Sequence, residues 1–103
     1  MGTYYGMDNA YQPGATGSTV ISGAGSATVA IPNDSSGNKA RLVRLQVTGN
    51  LYVKFAKGAA TASNQDMLLS PNYDVIVNCM QYDNIGYIQE AAAAKLNITP
   101  LEA

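Results

Sequence analysis

Residues 41–58 read RLVRLQVTGNLYVKFAKG, and this stretch sets the reading of the whole chain. Its apolar residues fall on a two-residue period. Val43, Leu45 and Val47 alternate with Arg44, Gln46 and Thr48; beyond Gly49 and Asn50, Leu51, Val53 and Phe55 alternate with Tyr52 and Lys54. That period marks strands with one buried face, and Gly-Asn between two such runs predicts a β-hairpin. The hydrophobic pattern then selects the loop. A two-residue turn at Gly49-Asn50 would set Leu45 opposite Lys54, and directly opposed residues share a face. A three-residue loop, Thr48-Gly49-Asn50, instead pairs Val47 with Leu51, Leu45 with Val53 and Val43 with Phe55, keeping the apolar set together. Asn50 tolerates the positive φ on which such loops end. The same register sets Arg44 opposite Lys54, a like-charge pair that an acidic partner would relieve.

Outward from this stretch the chain continues as short strands and turns. Toward the N-terminus, TVIS (19–22) and SATVAI (26–31) read as strands, the second ended by Pro32 and followed by the turn-rich loop 33–39. Toward the C-terminus, small polar residues at 58–65 read as a loop. DMLLS (66–70) reads as a short apolar run closed by Pro71. Residues 73–80, YDVIVNCM, carry apolar side chains on both faces and are expected at the centre of a sheet. Residues 85–90 return as a strand. The run EAAAAK has strong helix propensity, but it is too short for a stable helix and Leu96-Asn97-Ile98-Thr99 already alternates. Residues 91–94 are therefore expected to be a connection. Short strands with frequent turn signals predict an all-β fold: an antiparallel β-sandwich or jelly-roll-like barrel. We place it at 19–103 and read residues 1–18 as an extended N-terminal arm. Tyr4, Tyr5, Met7 and Tyr11 lie in that arm without any period. Solvated tails usually lack aromatic residues, so these rings are expected either to cover their own domain or to reach a neighbouring subunit.

The 103 residues suffice for one domain with a real core. That core must be aliphatic, since there is no tryptophan and one phenylalanine. Six basic and seven acidic residues give a net charge of −1, which offers nothing to nucleic acid or to an anionic membrane. A surface so poor in charge suits a protein partly covered by other protein. The single cysteine, Cys79, lies in the apolar run 75–80 and reads as a small buried residue. The first residues have neither the basic nor the apolar region of a signal peptide, so the chain is expected in a reducing cytoplasm or in something assembled there.

A search for chemistry yields no constellation. The chain has no histidine, the commonest general base and metal ligand. Asp8, Asp34, Asp66, Asp74, Asp83, Glu90 and Glu102 are spread singly, without a calcium-loop spacing. Gly23 and Gly25 precede a strand pattern rather than a helix and make no phosphate cradle. The two N-x-S/T sequons, at Asn33 and Asn97, lack a secretory context. No catalytic, cofactor-binding or metal-ligating residue is expected, and an enzyme is not the reading. The residues singled out for binding are Tyr4, Tyr5 and Tyr11 in the arm, and Arg44, Tyr52 and Lys54 on the central strands.

Residues 43–102 resemble small virion structural proteins of tailed bacteriophages. The resemblance rests on VTGNLYVKF (47–55), the small-residue loop 58–65, DMLLSP (66–71), YIQ (87–89) and LNITPLE (96–102). Residues 1–40 lie outside it. It implies a β-sandwich on the phage particle, most like a capsid decoration (cement) protein. Such a protein would bind the major capsid protein and copies of itself, as a trimer or dimer, and stabilise the head. It would be found in the virion after assembly in the bacterial cytoplasm. Two alternatives are a neck or tail (head–tail joining) protein and a virion-displayed carbohydrate-binding module.

Overall fold

The computed structural model describes residues 12–13 and 17–102. These form nine strands: β1 (Gln12–Pro13), β2 (Ser18–Ile21), β3 (Ala27–Ala30), β4 (Leu42–Val47), β5 (Leu51–Ala56), β6 (Met67–Leu69), β7 (Val75–Asn78), β8 (Asn84–Gln89) and β9 (Lys95–Glu102). No helix forms among the described residues, and the alanine run is a connection, as its length requires.

All pairings are antiparallel. One sheet runs β2-β9-β4-β7, with β1 also on β9; the other runs β3-β8-β5-β6. Nearly every connection passes from one sheet to the other. Only the loop 57–66 joins neighbours within a sheet, β5 and β6. Strands that alternate between two facing sheets in this order make an eight-stranded jelly roll, β2 to β9.

The expected hairpin is not formed. β4 and β5 lie in different sheets: β4 pairs β9 and β7, while β5 pairs β8 and β6. Residues 48–50 are an arch across the sandwich, so Val43, Leu45 and Val47 meet Leu51 and Val53 through side chains instead of beside them in a ladder. The physical reason is parity. An odd loop keeps both apolar sets on one side of the chain, and that holds equally for a hairpin and for an arch. The alternation itself stands: these five residues are at most 6 % exposed. Phe55 is half-buried, with the Tyr82 ring 5.8 Å away.

Leu96 and Ile98 of β9 and Leu69 and Ile85 of the other sheet complete the centre of the core. β9 carries Pro100 in a buried position, paired with Val43. Proline cannot donate to a ladder. On the other side of β9 the partners change at this point, β2 ending its register at Ile98↔Ser18 and β1 beginning at Leu101↔Pro13. The missing donor thus falls at a break between two edge segments. A Cβ on Gly17 would stand 2.5 Å from the Ile98 carbonyl oxygen, so only glycine brings the chain this close to β9. Parts of the expected arm, Gln12–Pro13 and Gly17-Ser18, therefore belong to the sheet edge; Tyr4, Tyr5, Met7 and Tyr11 lie outside the described residues.

β7 is an edge strand, not a central one. Its inner face, Val75 and Val77, packs on the core, while Ile76 on the outer face is 55 % exposed. Apolar residues on both faces signalled burial on both; one face is instead left open.

Two tethers close the sandwich. Buried Ser22 donates from Oγ to the Ala94 carbonyl at 3.2 Å and accepts from the Ala94 N–H at 2.9 Å, joining the end of β2 to the 90–94 connection. At the opposite end, loop 57–66 folds back over the outer face of β8. The Thr28 hydroxyl donates to the Ala60 carbonyl (2.9 Å), Asn84 Nδ2 to the Gly58 carbonyl (3.0 Å), and the Ala62 N–H to Ser26 Oγ (2.8 Å). Gly86 of β8 makes room for it: a Cβ there would lie 2.6 Å from the Ala60 oxygen.

Candidate functional site

With the inner faces filled, any binding must use the outer faces, the loops or the open edges. On the outer face of the β2-β9-β4-β7 sheet, Asn97 stands opposite both Thr19 and Gln46, and Arg44 opposite both Thr99 and Ile76. Asn97 Nδ2 donates to Thr19 Oγ1 (2.9 Å) and Thr99 Oγ1 to Asn97 Oδ1 (2.7 Å), giving a polar row. Thr19, Gln46, Lys95 and Asn97 line a shallow trough of about 240 Å³. None of its lining residues is aromatic, so it lacks the stacking ring that a sugar site commonly presents.

Arg44 and Lys54 do not meet. They lie on the outer faces of opposite sheets, since Lys54 stands opposite Gly86 in the β8 ladder. Arg44 already has an acidic partner, with Nη2 2.7 Å from Asp74 Oδ2. Both side chains are over a third exposed, which makes the pair worth little in stability but leaves Arg44 without an unmet charge. The expected like-charge docking point is thereby removed. It depended on the hairpin register.

Tyr52 does lie on an accessible face. In the ladder it stands between Leu68 of β6 and Ile88 of β8, with Lys54 further along its own strand. The row Leu68-Tyr52-Ile88 forms an apolar stripe across the outer face of the second sheet. Leu68 is 47 % exposed, and Tyr52 and Ile88 are half-buried. Tyr87, by contrast, points inward and is 7 % exposed.

The open edges carry most of the remaining apolar surface. β6 ends one sheet and β7 ends the other, and the short connections 48–50 and 70–74 hold them on the same flank. Met67, Leu68, Tyr73, Ile76 and Met80 are all exposed on or beside these two strands. Neither MLL nor VIVN contains a charge. Natural edges are usually blunted by charge or proline when they face only water. Sequence reasoning missed this flank because it placed residues 73–80 in the interior. The lack of any charge in two short strands was the available signal.

Compared with family models, curated proteins and solved structures, the chain matches none.

Other reactive groups are quiet. Cys79 is fully buried and directs its thiol at the Ala40 carbonyl (3.3 Å). Burial pushes its pKa up, against smaller pulls from a backbone hydrogen bond and Lys39. A thiol raised above its unfolded value contributes stability that is present below the unfolded pKa, near 8.5, and lost as pH rises through the folded one. Among the described residues no group of three His, Cys, Asp or Glu side chains is placed to hold a metal ion.

Proposed function

We propose that this chain is a structural protein of a tailed-bacteriophage virion, a capsid decoration protein that binds the major capsid protein and stabilises the head. The observation that carries the reading is the jelly-roll strand order, β2-β9-β4-β7 facing β3-β8-β5-β6, with uncharged apolar edges left open. The architecture recurs in viral capsid domains as well as in lectins and cupins. Fold alone does not choose among these. What favours the capsid is the sequence resemblance over 43–102, together with a surface on which most of the exposed large apolar side chains, Ile21 and Tyr82 apart, lie on one flank and one stripe. Such a surface is suited to burial against protein. Weak contacts of this kind gain strength when a symmetric shell repeats them.

In this reading the contacts to the shell come from Tyr4, Tyr5 and Tyr11 and from the stripe around Tyr52, with Lys54 at its border. The test is co-sedimentation with empty heads that lack the protein. The unaltered chain is expected to bind. Deleting residues 1–11, or changing Tyr4, Tyr5 and Tyr11 together to Ala, is expected to weaken binding about tenfold or more while leaving the melting temperature within a few degrees, because aromatic anchors dominate interfaces. The deletion stops at residue 11 because Gln12–Pro13 pairs with β9. An unaltered protein that does not bind heads, or a variant that binds equally well, would count against the proposal.

A further inference from the structure

We propose that two copies of this chain pair through β7, antiparallel and two-fold, with Ile76 of one copy opposite Ile76 of the other. The inference deepens the reading of the chain as a self-associating shell component, but its argument rests on the edge alone. The Cys79 N–H donates to the Arg41 carbonyl at 2.8 Å. Carried down the register Val77↔Val43 and Val75↔Leu45, this makes alternate residues of β7 the hydrogen-bonded partners of β4. The N–H and C=O of Ile76 are then directed away from β4, toward the open side. A strand with free groups in this spacing is matched by a second strand with the same spacing, and its own copy supplies one.

The side chains agree with a self-pairing. A two-fold axis perpendicular to the sheet requires opposed residues to share a face, which an axis at Ile76 satisfies: Val75 meets Val77 on the inner side, and Asp74 meets Asn78 on the outer. No like charges are opposed, and Asp74 is already bound to Arg44. Tyr73 and Met80, which flank β7, are 70 % and 49 % exposed. Ile76, with Tyr73 and Met80 beside it, leaves this edge largely apolar and exposed, the kind of surface that association covers.

The test is sedimentation velocity of the full chain over a concentration series, with two variants. The unaltered protein is expected to be a dimer that dissociates on dilution. Ile76→Lys places two ammonium groups opposite each other and removes both isoleucines, and is expected to weaken the dimer on the order of a hundredfold or more without lowering the monomer's melting temperature, since Ile76 is exposed. Ile76→Cys tests the register. Residues in a hydrogen-bonded antiparallel pair have Cα atoms ~5.5 Å apart, within disulfide reach. Mild oxidation is expected to give a covalent dimer, with buried Cys79 unreacted. A monomer at all concentrations, an Ile76→Lys dimer as strong as the original, or no cross-link at position 76 would each overturn the pairing. Head binding separates the two proposals: a monomer that binds heads sinks this one alone, and a dimer that does not bind them sinks the shell reading alone.

Discussion

Leu96→Ala is expected to lower the melting temperature by roughly 10–40 °C. Leu96 has no exposed surface and sits on β9, paired with Val47 on one side and Val20 on the other. β9 is the one strand that contacts β1, β2 and β4, so its inner face is where the first sheet meets the core. Truncating a buried leucine costs about 2–5 kcal/mol, from lost transfer energy and the cavity left behind. In a domain of this size each kcal/mol moves the midpoint by about 4–8 °C. Lys95→Ala, one residue earlier on the exposed face, is the control and is expected to change stability by no more than ~0.5 kcal/mol. Thermal unfolding followed by circular dichroism reads both. Equal effects at 95 and 96 would mean that the register of β9 is wrong.

The second large effect is expected at Gly86. Valine favours strands over glycine, so a purely local view predicts that Gly86→Val stabilises β8. The structure predicts the opposite. The new Cβ would lie 2.6 Å from the Ala60 oxygen and 2.9 Å from its carbonyl carbon, both backbone atoms that cannot swing aside. Either β8 shifts or loop 57–66 lifts, taking with it the hydrogen bonds to Thr28, Ser26 and Asn84. Forcing extra atoms into a packed contact costs about 1–3 kcal/mol, a fall of roughly 5–20 °C. Gly58→Val, where a Cβ would meet nothing within 4 Å, should be close to neutral. A stabilised Gly86→Val variant would mean that the loop does not lie on the sheet.

These two sites also show what the sequence makes legible. The burial of Leu96 follows from the alternation in LNIT, just as the burial of Val43, Leu45, Val47, Leu51 and Val53 follows from their period. The turns are marked by Gly, Pro, Asn and Asp, and most strands fall where those marks leave room. The all-β class and the sandwich follow from these. What periodicity does not record is which strand lies beside which. It reports the direction of a side chain, whereas pairing is set by backbone groups that every residue shares. Hence residues 48–50 read as a hairpin although they form an arch, and Arg44 was set against Lys54 although Asp74 is its partner. The same gap hid the edge position of β7, because an open apolar face and a buried one look alike in sequence. Gly86 carried no signal of its own: the loop that needs it is more than twenty residues earlier in the chain. Of the six residues expected at an interface, Tyr52 and Lys54 lie on one outer face and Arg44 on the other.

The proposal that this chain decorates a phage head is tested most directly by counting its copies on the particle. Quantitative mass spectrometry of purified virions, normalised to the major capsid protein, gives that number. A decoration protein that covers the shell predicts a copy number comparable with that of the capsid protein. A few copies per particle would contradict it and move the chain to the neck or tail, and its absence from virions would remove the virion reading altogether.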